Sequence, residues 1–199
     1  MTGLRQLQRQ RVREAISTAA ISLFLERGFD EVPVTEVAAA ARVSKPTLFK
    51  YFPTKEDLVL HRIADHQGEA ARVVRQRAPG VDPVTALHRH FLDGLARHDP
   101  VTGLNDHAEV LGYHRMVFST PSLAARVFHY MSQDEGALAE ALAETTDELT
   151  ASLLAGQVLA VQRVLARRTW QALADGRPLA EVEAEAVRAA DHAFSLLNG

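Results

Sequence analysis

The 199 residues carry 22 Lys/Arg against 25 Asp/Glu, a net charge of -3, and no cysteine, which excludes disulfides, thiol redox sensing and Cys-ligated zinc. Apolar residues make up 47% and aromatics only 6%, enough for a substantial core in a composition that favours helices over strands. Met1 leads into Arg and Gln rather than an apolar run, and the longest apolar stretch, 153–161, is broken by Gln157 and too short to span a bilayer, so a cytoplasmic protein with no membrane partner is expected.

The pattern predicts an all-α chain of about nine helices. The first covers 9–27, with Ile16, Ala19, Ala20, Leu23 and Phe24 as its apolar stripe and Gly28 as its stop. Arg5, Arg9, Arg11 and Arg13 precede or open it, and they read as a loose tail rather than an arm for the minor groove. A second helix covers 34–41, with Val37, Ala38 and Ala41 inward, and Arg42-Val43 makes a turn. Ser44 then caps a third helix that has Pro46 in its first turn and is ended by Pro53. Thr54 caps a fourth over 55–77, whose Glu56 and Asp57 suit a first turn. After the loop 78–83, helices follow over 83–98, 104–118 and from Pro121 onward. Asp147 caps the eighth, 148–174, which Gly176 stops, and Pro178 opens the ninth, to about 197.

Charge is unevenly placed along this chain. Residues 1–60 hold nine Lys/Arg against seven Asp/Glu, and the remainder thirteen against eighteen. All three lysines, Lys45, Lys50 and Lys55, fall within twelve residues that also hold Phe49 and Tyr51. A local basic field, rather than net charge, is what meets a polyanion. Two short helices joined by a tight turn make a helix-turn-helix, whose second helix lies in the major groove. In that second helix Leu48 and Phe52 form the buried stripe, while Pro46 and Lys50 lie opposite, flanked by Lys45, Thr47, Phe49 and Tyr51. Ammonium groups there suit phosphates or guanine edges, and the hydroxyl and apolar groups suit the thymine methyl. Lys45 and Lys50 stand about 140° apart around the helix, and Lys55 opens the next one beyond Pro53.

Residues 9–60 resemble the DNA-binding domain of the TetR-type bacterial transcriptional regulators. The stretches that carry the likeness are Ala20-Ile21-Ser22-Leu23-Phe24-Leu25-Glu26-Arg27-Gly28-Phe29, Val34-Thr35-Glu36-Val37-Ala38, Val43 through Phe52, and Lys55-Glu56-Asp57-Leu58. The resemblance implies a helix-turn-helix domain over 1–53 and a helical effector-binding and dimerisation domain over 54–199. It implies DNA contacts at Thr35, Ser44, Lys45, Pro46, Thr47, Phe49, Lys50, Tyr51 and Lys55. It also implies a homodimer on a pseudo-palindromic double-stranded operator, with repression by a ligand-responsive mechanism. Three departures stand out. Arg42 occupies a turn position where the family usually has Gly, so it has to accept a left-handed backbone; its guanidinium then either reaches a phosphate or stays solvated. Pro33 replaces the usual Ser/Thr cap of the second helix. Lys50 stands where an aromatic or His is common.

The body is less specific. An apolar small-molecule site fits Phe91, Leu95, Leu111, His114, Phe118, Phe128 and Met131, with Gln157 as a buried polar anchor, although each residue alone also fits plain core packing. The region faintly resembles regulators that bind acyl-coenzyme A thioesters, which suggests an apolar or acyl thioester-like effector. For dimerisation the last two helices offer Leu153, Val161, Val164, Val182, Ala186, Ala190 and Phe194; the same residues also suit one intrachain helix pair. No metal or cofactor is expected, since no His-x-x-x-His pair exists, and no nucleophile elbow, P-loop or dinucleotide fingerprint points to an enzyme. The competing readings are an effector-independent DNA-binding protein and, remotely, a helical enzyme.

Overall fold

The computed structural model describes residues 2–197; the side chains of Thr2, Leu4 and Arg5 lie outside the described set, and with them the Arg5 member of the expected N-terminal tail. The elements in chain order are α1 (Thr2–Arg27), α2 (Val34–Ala40), α3 (Lys45–Tyr51), α4 (Asp57–Ala64), α5 (Glu69–Gln76), α6 (Pro83–Ala96), a 3-10 turn (Pro100–Thr102), α7 (Ala108–Ser119), α8 (Pro121–Ala143), α9 (Glu148–Ala174) and α10 (Leu179–Ser195). No strand occurs among the described residues. The chain divides into two compact units, residues 1–65 with 112–127, and residues 66–111 with 128–199.

The first unit is built on the apolar stripe of α1. Ile16, Ala20 and Phe24 are buried together with Val37 and Ala38 of α2, Leu48 of α3, Phe52, and Leu58, Val59 and Leu60 of α4. Tyr113 donates its hydroxyl to the Val59 carbonyl at 2.9 Å, and Arg126 pairs with Asp57 at 2.9 Å, so α7 and α8 each contribute a polar tie to α4. One expectation is corrected here: α1 begins at Thr2 rather than near Arg9, so Arg9, Arg11 and Arg13 lie inside the helix rather than at its loose start. Nothing in 2–8 breaks a helix except Gly3, which costs only about 1 kcal/mol relative to Ala.

The second unit packs α10 against α6 and α9. Val182, Ala186, Ala190 and Phe194 of α10 are buried with Leu87, Phe91 and Leu95 of α6 and with Ala151, Ala155, Val158 and Leu165 of α9. His88 stacks on Phe194 with ring centroids 4.8 Å apart. This corrects the expectation that those four α10 residues face a second subunit. An alanine stripe lets two helices approach closely, and this chain uses that closeness internally.

Two other boundaries differ from the sequence pattern. The expected fourth helix is interrupted at residues 65–68, giving α4 and α5. Gly68 adopts φ 70, its N–H donates to the Asp134 carboxylate at 2.8 Å, and the neighbouring Gln67 amide donates to Gln133 at 2.8 Å. Burial holds the Asp134 carboxyl above its ordinary range, and the Gly68 N–H opposes that shift. The expected sixth helix starts at Ala108 rather than near 104. Asp99 caps the 3-10 turn through the Val101 N–H at 3.1 Å, Gly103 then turns through φ 76, and Leu104 is buried.

Candidate nucleic-acid interface

Local chemistry sets the reading head. The α2–α3 turn closes with two backbone bonds, Val43 N–H to Ala38 O at 2.9 Å and Arg42 N–H to Ala39 O at 3.0 Å, the pairing that ends a helix on a left-handed residue. That residue is Arg42, at φ 55, as its place in the turn predicts. A left-handed conformation costs a non-glycine residue about 1–2 kcal/mol. Pro33 precedes α2 without a side-chain cap, again as expected. Ser44 caps α3: its Oγ accepts the Thr47 N–H at 3.2 Å and lies 2.8 Å from the Thr47 hydroxyl. Thr54 and Asp57 then satisfy one another, Thr54 N–H to Asp57 Oδ2 at 3.0 Å and Asp57 N–H to Thr54 Oγ1 at 3.2 Å.

The candidate contact residues sort by exposure. Thr35, Arg42, Ser44, Lys45, Pro46, Phe49 and Lys50 are exposed, while Thr47, Tyr51 and Lys55 are half-buried. Leu48 and Phe52 are buried, so α3 turns one face to the core and the other outward, as its spacing requires. The three lysines are not equivalent. The Lys45 ammonium lies 6.0 Å from the Phe49 ring centre. The Lys55 ammonium lies 4.7 Å from the Phe29 ring and 5.5 Å from the Phe24 ring, and donates to the Asp30 carbonyl at 3.4 Å. Such contacts hold a cation in place by the ring quadrupole. Among the described contacts Lys50 has neither a ring nor a carboxylate partner, which leaves its ammonium free on the exposed face.

Sequence reasoning missed the polar cluster behind α3. Arg13 of α1 lies 5.8 Å from the Phe52 ring and 3.8 Å from the Asp65 carboxylate. His61 meets Phe52 edge-on at 5.5 Å, and its Nδ1 is 3.3 Å from the buried Ser17 hydroxyl, which donates to the Leu58 carbonyl at 3.4 Å. A hydroxyl has one proton; given to Leu58, it leaves His61 Nδ1 as the donor to Ser17. No local pattern announces this cluster, because its members are 41 and 44 residues apart. Burial lowers the His61 pKa, and the Arg13 charge lowers it further. An unfolded histidine titrates near about 6.5. Folding therefore disfavours the protonated ring, so stability is intact above that pH and falls as the pH drops through it towards the depressed folded value. His114, lowered by burial in the same unit, acts with the same sign. The expected result is a thermal midpoint that declines from about pH 7.5 to about pH 5.5 less steeply in His61→Gln than in the wild type. Equal slopes would remove His61 from the account.

The expected effector residues divide between the two units. Phe91 and Leu95 are buried in the core of the second unit, Leu111 and Met131 are half-buried there, and Phe128 is exposed. His114 is half-buried and Phe118 exposed in the first unit. Gln157, expected as a buried anchor, is exposed, because α9 turns that face outward. Two open depressions occur in the second unit: one of about 240 Å³ lined by Ser132, Glu135, Gly136, Ala139 and Ser152, the other of about 280 Å³ beside Arg77, Arg89 and His90. Neither is lined by an expected effector residue. Among the described residues no His/Asp/Glu group has the geometry to hold a metal.

Comparison with known proteins agrees with this geometry. The sequence pattern of the bacterial regulatory proteins of the tetR family matches residues 16–61, from the second half of α1 through α2 and α3 into α4. The HTH-type transcriptional regulator TcmR of Streptomyces glaucescens is 29% identical over 180 residues, 87% of this chain and 79% of that protein. The HTH-type transcriptional repressor Rv3405c of Mycobacterium tuberculosis is 36% identical over 83 residues, 41% of this chain and 44% of that one. Among solved structures, GusR of Salmonella enterica superposes with a TM-score of 0.59 at 20% identity, covering 95% of this chain and 94% of its own. A TetR-family regulator of Streptomyces coelicolor gives 0.57 at 23% identity and covers 96% of both chains, a likeness of fold. Residues 16–61 thus match the DNA-binding head of the bacterial regulatory proteins of the tetR family, within a chain similar over most of its length to a helix-turn-helix transcriptional regulator.

Proposed function

We propose that the protein is a homodimeric repressor that binds a pseudo-palindromic DNA operator and is released by a small-molecule effector. The observation that carries the reading is the exposed face of α3, where Lys50 stands beside the Ser44-Thr47 cap and the Lys45 ammonium lies near the Phe49 ring. In this reading residues 1–53 read DNA and 54–199 hold the effector and the second subunit. Two copies of α3 enter successive major grooves about 34 Å apart, which demands twofold symmetry. Lys50 approaches the bases. Lys45 and Lys55, steadied by their rings, meet phosphates with Thr35, Arg42, Ser44, Thr47 and Tyr51, while Pro46 and Phe49 offer apolar contact.

The homodimer is supported by α9. This helix is long and apolar enough by composition to cross a membrane, with a mean hydropathy of 1.4, yet only 22% of that window is buried within the chain. We assign the uncovered face to a second copy in the cytoplasm. Repression is supported by the relative named as a repressor. An apolar or acyl thioester-like effector would act by favouring a body shape with the wrong head separation.

Lys50→Ala tests it. On an operator selected by the wild-type protein from random duplexes, affinity is expected to fall about 10-fold or more and the discrimination between sequences to relax. The dimer and its thermal midpoint stay unchanged, because Lys50 is exposed. Unaltered operator affinity and salt slope would place Lys50 away from DNA.

A further inference from the structure

We propose that Lys50 is an acyl-acceptor site, and that N-acylation of its side-chain amine by an anionic activated donor, an acyl phosphate or an acyl thioester, switches operator binding off. The switch rests on the reading of Lys50 as a DNA contact; the acceptor site does not. The chain holds three lysines, Lys45, Lys50 and Lys55, all in the reading head, and every other permanently charged basic side chain is an arginine. A guanidinium stays protonated and offers no lone pair for acylation. Amine-directed chemistry therefore reaches this one surface and leaves the side-chain charge of the rest of the chain as it is.

The fold ranks the three amines. Lys50 is exposed, and among the described contacts it has neither a ring nor a carboxylate partner. Lys45 is exposed too, with its ammonium 6.0 Å from the Phe49 ring centre. Lys55 is half-buried, lies 4.7 Å from the Phe29 ring and 5.5 Å from the Phe24 ring, and donates to the Asp30 carbonyl at 3.4 Å. Acylation removes the charge, so it forfeits two ring contacts at Lys55, one distant ring contact at Lys45 and none at Lys50. The order of modification that follows is Lys50, then Lys45, then Lys55.

The same stretch gathers the donor. Residues 37–55 carry four cations, Arg42 and the three lysines, and no Asp or Glu. A local positive field raises the concentration of an anion at the surface, and acyl phosphates and coenzyme A thioesters are both anions. In the transfer the lone pair of the uncharged amine attacks the acyl carbon. A C–N bond forms, the bond from that carbon to the phosphate oxygen or the thiol sulfur breaks, and phosphate or thiolate leaves with the electron pair. The proton of the amine passes to water, and nothing is oxidised or reduced. The product is a neutral amide where a cation faced the DNA.

Full-length protein is incubated with acetyl phosphate in one arm and acetyl-coenzyme A in the other, then desalted and followed by peptide mass spectrometry and operator binding. Acetylation is expected to be greatest at Lys50 and least at Lys55 in the folded protein, and alike at all three in urea, where the ring contacts are lost. Operator affinity is expected to fall about 10-fold as Lys50 fills, and the salt slope by about one. Operator bound beforehand is expected to protect Lys50. Lys50→Arg, compared with its own untreated affinity, is expected to lose less on treatment than the wild type does. Acetylation at Lys50 in either arm supports the site, and the arm that works names the donor. Acetylation of Lys45 or Lys55 ahead of Lys50, or of none of them in either arm, overturns the site. A filled Lys50 with unchanged operator affinity overturns the DNA contact and the switch, and leaves the acceptor site standing. Affinity that returns on desalting overturns the covalent switch and points instead to a reversibly bound effector.

Discussion

Gly103→Ala is expected to lower the thermal midpoint by roughly 4–20 °C, at about 2–4 °C per kcal/mol for a chain of this size. Two costs combine. Gly103 holds φ 76, where an added Cβ costs about 1–2 kcal/mol. That Cβ would also stand at the backbone of α9, overlapping the Ala166 carbonyl oxygen and meeting the Trp170 nitrogen at 3.0 Å. A helix backbone cannot turn aside as a side-chain tip can, so the loop or α9 must shift, at about 1–3 kcal/mol. Gly176→Ala separates the two costs. Gly176 has φ 83 but nothing within 4 Å of its would-be Cβ, so only the backbone penalty applies. Its midpoint is expected to fall by about 2–8 °C, the backbone share of the Gly103→Ala loss. Equal losses in the two variants, followed by circular dichroism, would show that the approach to α9 costs nothing.

The contrast between these glycines also marks where sequence stops being legible. Gly176 is readable as a helix stop because capping is local chemistry, and so are Ser44, Asp82 and Asp147, each of which accepts the N–H three residues on. Gly103 is not readable, because its constraint comes from Ala166, far along the chain. The interruption between α4 and α5 has the same character. Residues 55–77 keep a helical pattern, and what holds the break is the Asp134 carboxylate on Gly68, 66 residues away. The α10 stripe is a third case. Periodicity reports that Val182, Ala186, Ala190 and Phe194 need cover, but not whether the cover is α6 of the same chain or another subunit. At the interface, the face of α3 follows from its period. The placing of Lys45 near Phe49, one turn on, follows from it too, but the tethering of Lys55 does not, since Phe24 and Phe29 reach Lys55 only through the fold.

The same distinction between in-chain cover and uncovered face gives the second large effect. On the proposed homodimer, Leu153→Glu is expected to leave a monomer at micromolar concentration and to weaken operator binding by roughly 10²–10⁴-fold, the loss that follows when two linked half-site contacts become independent. Leu153 is 58% exposed, so its replacement removes little from the chain's own core, and helix content and thermal unfolding of the monomer should persist. Against a second copy seated on this face a carboxylate would instead be desolvated in each subunit. The fate of a single half-site separates this loss from damage to the reading head. A duplex bearing one half-site should bind wild type and Leu153→Glu with equal affinity and equal salt slope, because α3 and its lysines are untouched. On the full operator the two proteins should then differ by the whole factor that linkage supplies. Lys50→Ala should show the reverse pattern, losing affinity on half-site and full site alike while remaining a dimer. If Leu153→Glu stays dimeric in light scattering, α9 is not where two copies meet, and the exposed stripe needs another partner.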